Sequence, residues 1–213
     1  AEYENVLDDH LGQIHFTYVN TWDELLPAHW HEHLEIIYVL GGEITASIND
    51  VSYELKKGDI FLVNSNDIHY THTHEDARYY LLQIPPVHLE RISAKWEGLK
   101  FQEFIRSKSA DACVQGEQLE NVQGKGLVEM RENRKSTNRA DDLYDQLRDV
   151  FRKIAGFYEE KKEGYHLLVL SAVYRLLYFL YTEGIRSEED TGTAHGTLRD
   201  LERMKPVSYT HLR

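Results

Sequence analysis

The stretch whose reading decides the fold is AHWHEHLEIIYVLGG, residues 28–42. In an extended chain His29, His31, His33 and Glu35 stand two residues apart, so they project from one face as a polar stripe. The other parity, Leu34, Ile36, Tyr38 and Leu40, is apolar. Beyond Glu35 the first parity also turns apolar, with Ile37 and Val39. The pattern predicts a strand buried on both sides after a polar entry.

Working outward, residues 13–19 read as a first strand and 20–27 as a loop leading into the stripe. Downstream, 34–40, 43–48, 51–55, 60–63, 68–74 and 78–84 read as short strands. They are separated by Gly41-Gly42, Asn49-Asp50, Lys57-Gly58-Asp59 and a polar corner at 64–67. Such regular spacing predicts an all-β sandwich or barrel. Pro85-Pro86 closes the sheet region, because proline cannot donate to a ladder.

Residues 87–105 are weakly helical, and 114–140 are polar without periodicity. Leu143, Leu147, Val150, Phe151, Ile154, Phe157 and Tyr158 recur at helical spacing, predicting a helix over 141–160 with Asp141 or Asp142 as its N-cap. After Gly164 a second helix, 165–182, is apolar nearly all round. It must be covered by the sheet, by its neighbour or by a second copy of the chain. Residues 187–197 read as an acidic linker and 198–204 as the start of a further helix; the closing SYTHLR carries no functional weight. The organisation expected is a mainly β plus α fold. Residues 1–90 form the barrel, 91–140 an irregular or partly helical connection, 141–186 an antiparallel helical hairpin suited to dimerisation, and 187–213 a linker and the cut-off start of another domain.

Composition bounds the function. The chain has 213 residues, net charge −12 and pI near 5.4, which repels phosphate backbones, so these residues are not expected to bind nucleic acid themselves. The lone cysteine, Cys113, and the absence of a CxxC pair point to a reducing cytoplasm. The greasiest segment, 167–181, is interrupted by Arg175 and is shorter than the roughly 20 residues that cross a bilayer. No membrane association is expected. GxSxG, P-loop and GxGxxG motifs are all missing.

Chemistry therefore concentrates on the stripe. Two imidazoles at i and i+2, a carboxylate on the same face and a third imidazole, His69, from a facing strand make a candidate site for a divalent ion such as Zn, Fe, Mn or Ni. The same groups can instead hydrogen-bond a small polar ligand, or one another. His72 and His74 have the parity opposite to His69 and are expected to point outward; His33 shares the stripe's parity and is expected at the rim.

The spacing HxHxxxE at His29, His31 and Glu35, then Gly42, and later Gly58, Asn64 and His69, resembles the two signature motifs of the cupin superfamily. Asn64 and Asn66 stand where that pattern has proline and glycine. A cupin followed by LYDQLRDVFRKIAGFYEEKKEGYHLLVLSAVYRLLYFLY and LRDLERMKPV looks like the effector-binding and dimerisation region of an AraC-family bacterial transcription regulator. The resemblance implies a jelly-roll barrel that binds a small polar effector, often a sugar. It also implies a homodimer, and contact with DNA only through a helix-turn-helix domain beyond this chain. The ligand-binding candidates are His29, Trp30, His31, Glu35, Tyr38 and His69, with Tyr53 and Tyr70 as further aromatic faces; His29, His31, Glu35 and His69 double as candidate metal ligands. No cofactor is required by that reading, although a divalent ion is compatible with it. The competing class is a metal-dependent cupin enzyme, a dioxygenase or sugar isomerase.

Overall fold

A computed structural model describes residues 1–4, 13–74, 76–92, 99–106 and 129–184. Cys113 and the expected linker, further helix and tail beyond 186 lie outside the described residues.

Among the described residues ten strands make two five-stranded sheets. The first sheet has the order β1 (Glu2–Tyr3), β3 (Leu25–Trp30), β8 (His69–Thr73), β5 (Glu43–Ile48), β6 (Val51–Lys56). The second is β10 (Phe104–Ile105), β7 (Ile60–Val63), β4 (Leu34–Gly41), β9 (Ala77–Ile84), β2 (His15–Thr21). Every pairing is antiparallel except β1 with β3. Among the described residues three helices follow the sheet region: α1 (Pro86–Ile92), a long α2 (Glu129–Glu160) and α3 (Tyr165–Glu183).

The strands fall close to where alternation and turn residues predict them. Asn49 and Asp50 both take positive φ, 46° and 70°, as the two-residue turn of a β5–β6 hairpin requires. Two differences stand out. Residues 25–27, read as the end of a loop, belong to β3 (Leu25–Trp30); the side chains at 25–28 are apolar but exposed, without the alternation that marks a strand. The expected continuous strand through the histidines is bent at residues 31–33, which carries the chain from the first sheet into the second.

Period-two alternation along β4 feeds two cores. Ile37 and Val39 point into the barrel with Ile44, Ala46, Leu55, Phe61, Val63 and Tyr79. Leu34, Ile36 and Tyr38 point the other way, onto a core shared with Leu147, Phe151, Ile154, Val173, Leu176 and Leu180 of the hairpin. The hairpin therefore covers the outer face of the second sheet. α2 begins at Glu129, twelve residues before the expected start, so Asp141 and Asp142 lie inside the helix and not at its N-cap. In the connection, Phe104–Ile105 is a strand edge on β7 and not helix. That segment is pinned by Asn64, whose amide accepts from Phe101 N at 2.7 Å and donates to Phe101 O at 3.2 Å, and by Arg106 on Asp59 at 2.6–2.7 Å.

Candidate functional site

His29 and His69 are cross-strand partners in the first sheet, while Glu35 sits on β4 of the second, beside Gln83 of β9. His31 occupies the bend between the sheets. The stripe therefore meets at the barrel mouth by convergence of two sheets, although one strand does not carry it. The His29 and His69 rings are 4.1 Å apart and those of His31 and His69 5.0 Å, centre to centre. His31 Nε2 lies 3.1 Å from Glu35 Oε2, and His69 Nε2 3.9 Å from Glu35 Oε1. His31, Glu35 and His69 are all at most 5% exposed.

The backbone presets the imidazoles. Nδ1 of His29, His31 and His69 meets the carbonyls of Pro27, His33 and Asp67 at 2.7, 3.1 and 3.0 Å. A carbonyl can only accept, so each Nδ1 carries a proton; neutral His29 and His69 present a bare Nε2, and His31 does so once it gives up the Nε2 proton it donates to Glu35. A donor atom from each of His29, His31 and His69 lies within 4.8 Å of the others. His69 Nε2 is buried and makes no hydrogen bond. The Gln83 amide donates to Glu35 Oε2 at 2.9 Å, orienting the carboxylate. Outer hydrogen bonds that fix tautomer and orientation are the mark of a metal-ligand set, and an unsatisfied buried nitrogen is what an ion would satisfy. The residues fit a divalent cation.

Without an ion, charge is shared by protons. Burial would push the Glu35 carboxyl up, but the His31 hydrogen bond, the His69 and His31 charges and the Gln83 amide hold it at about 2. For His31 burial opposes the charged form, yet Glu35, Glu4 and the His33 carbonyl raise its pKa. Burial lowers His69, and burial with the neighbouring His31 lowers His33 to about 4.

Trp30 and Tyr38, expected beside the ligand, are not brought to this cluster. Alternation turns Trp30 outward onto Tyr3, ring centres 4.9 Å apart, and Tyr38 onto Phe151 at 5.6 Å. Tyr53 packs on Phe61 and Phe104, and Tyr70 alternates outward with His72, which bonds Asp23, and with His74, which bonds Thr45. Two participants were not foreseen. Gln83 is a polar position on the inward parity of an apolar strand, a signal available in the sequence. Glu4 follows β1 and brings Oε2 to 3.7 Å from His29 and 3.8 Å from His31; nothing in the sequence spacing marks it. Asn66, where the motif has glycine, takes φ 66° and donates its N–H to the His31 carbonyl at 2.9 Å. Asparagine tolerates that left-handed conformation, so the bend keeps its anchor.

A family model described as the AraC-like ligand binding domain matches residues 12–177. Solved structures similar to the chain include an RmlC-like cupin from Shewanella frigidimarina, at 20% identity over 34% of this chain and 66% of that one, TM-score 0.33. KdgF from Halomonas sp. matches at 23% over 34% and 68%, TM-score 0.32. A protein described as a predicted oxalate decarboxylase from Thermotoga maritima matches at 23% over 33% and 64%, TM-score 0.31. The chain thus spans about two thirds of the length of these structures. No curated protein sequence matches it.

Proposed function

This chain belongs to the AraC-like ligand-binding-domain family, and from that premise we propose that it is the sensing and dimerisation part of a bacterial, cytoplasmic transcription regulator. The effector is a small polar molecule, with sugars the first class to test, held at the barrel mouth by His29, His31, Glu35 and His69. One observation carries the reading: four buried or half-buried polar groups from two sheets converge there with their hydrogen-bonding tautomers already set. Sequence-specific DNA contact belongs to an attached helix-turn-helix domain.

The hairpin supports the dimer. On α3, Val169, Val173, Leu176 and Leu180 are buried, whereas Leu167, Tyr174, Tyr178 and Tyr181 remain 63, 37, 62 and 38% exposed. Their spacing of seven, four and three places them along one stripe, suited to the same stripe of a second copy. Sedimentation of the chain at micromolar concentration gives a dimer, and Tyr178→Asp gives a monomer; a wild-type monomer, or specific DNA binding by this chain alone, defeats the proposal.

The metal-ligand geometry favours a second reading, a metal-dependent cupin enzyme. A divalent ion at the three Nε2 atoms and Glu35 would act as a Lewis acid on a bound oxygen. The chain's own part would be to orient the carboxylate through Gln83 and to exclude water by the apolar barrel below. A thermal-shift screen of sugars and divalent metals, followed by product analysis for each ligand found, separates the two. Stabilisation without turnover supports the sensor, turnover supports the enzyme, and no response to any sugar or metal refutes both.

A further inference from the structure

A second concavity lies away from the barrel mouth, between the outer face of the second sheet and α2. Its volume is about 610 Å³, within the ordinary range for small-ligand sites. Tyr38, Tyr80 and Tyr144 wall it; along α2 the charged lining runs from Arg148 through Arg152 to Glu159, and Lys57 adds a further cation. Tyr38 and Tyr144 are only 7% and 6% exposed, yet neither hydroxyl has a hydrogen-bond partner among the described residues. Neither hydroxyl is sealed in packing: both residues border the open volume, where a ligand hydroxyl can meet them.

The cationic end is also incompletely satisfied. The Arg148 guanidinium lies 5.6 Å from the Tyr144 ring centre and reaches Asp145 at 2.8 Å and Asp149 at 3.6 Å, but its enclosed Nε–H has no acceptor. Lys57 makes no ion pair among the described residues. Gly156 supplies an independent observation. It sits inside a 32-residue helix, where glycine costs roughly 1 kcal/mol against alanine. A Cβ there would meet nothing within 4 Å, so packing within the chain does not demand glycine. Its effect is to leave the concavity open.

We propose that this groove is a second ligand site, distinct from the barrel mouth, for a small monoanionic hydroxy acid. The carboxylate lies at the Arg148 and Lys57 end, and ligand hydroxyls meet the tyrosine hydroxyls. Glu159 accepts from a hydroxyl at the far end and repels a second carboxylate there, which fixes the charge of the ligand at one.

The test uses the ¹⁵N-labelled chain, titrated with gluconate, with its neutral counterpart glucitol and with inorganic phosphate, following the amides of Gly58 and Gly156, which both line the groove. Gluconate shifts both amides saturably, and glucitol and phosphate bind about tenfold or more weakly. Arg148→Gln weakens gluconate by about tenfold. Gly156→Leu abolishes the shifts while its melting temperature is at least that of the parent, and His31→Ala leaves them unchanged. The proposal is overturned if gluconate moves neither glycine, if glucitol or phosphate binds equally, or if binding survives Gly156→Leu and is lost in His31→Ala. The last result would assign gluconate to the barrel and leave the sensor reading standing.

Discussion

The two faces of β4 are built from alternate residues of one eight-residue strand and do different work. The inner face carries Glu35 and then Ile37 and Val39, so polar chemistry at the mouth rests on an apolar floor. The outer face carries Leu34, Ile36 and the ring of Tyr38, packed against the hairpin, with Tyr38 also bordering the second groove. A side chain's role here is set by parity before it is set by chemical type. Tyr38 and Glu35 are three residues apart, and one packs on the hairpin beside the second groove while the other belongs to the barrel mouth.

The sharpest way to break that comparison is to damage the outer face alone. Phe151 is fully buried against Tyr38, so Phe151→Ala is expected to cost about 3–5 kcal/mol in urea unfolding. Zinc affinity of the remaining folded protein should be unchanged; a parallel loss of affinity would mean that the faces are not separable. Next in size, zinc at about a hundred times its Kd should stabilise the chain by about 2.7 kcal/mol. His31→Ala should remove most of that increment, and an undiminished one would exclude the cluster as the metal site.

A smaller effect is expected from protons on the inner face. As pH falls below 6.5, the unfolded chain binds protons that folded His69, and His33 down to about 4, refuse, so stability drops. Glu35 adds to this loss as pH falls below 4.5 toward 2. His31 acts oppositely: its contribution is complete below 6.5 and is lost as pH rises through its raised value. Metal-free stability should therefore peak near pH 6.5 in thermal melts, and a flat profile would contradict the buried cluster. Smallest of all, Tyr38→Phe should change stability by less than about 0.5 kcal/mol and leave the zinc response intact. A lost zinc response would return Tyr38 to the site.

Much of this was legible in the sequence because period-two alternation and turn residues are local. Glu43–Ile48 and Ile60–Val63 fall where alternation predicts them, and the hairpin's second helix begins at Tyr165 as read. His29, His31, Glu35 and His69 converge because their spacing survives the bend. What escaped is what depends on tertiary context. Strand β3 has exposed side chains at 25–28 and earns its pairing from β8, not from an apolar face. The bend at 31–33 splits the supposed single strand, so parity could not be carried from His29 through Tyr38 to a common pocket. The first turns of α2, from Glu129, lack an apolar stripe, which is why periodicity placed the start later. Glu4 joins the cluster only because β1 pairs in parallel with β3.

One hydrogen bond ties the site to the far side of the molecule. Gln83, which orients Glu35, is followed by Ile84, Pro85 and Pro86, and then α1 places His88 against the Tyr174 hydroxyl at 2.9 Å. Tyr174 stands on the exposed stripe of α3. Four residues, two of them prolines with fixed φ, thus separate the amide that steadies the carboxylate from a contact with the outward helix. Such a span behaves as a short stiff lever: a displacement of Gln83 has little slack in which to dissipate before it reaches the helix.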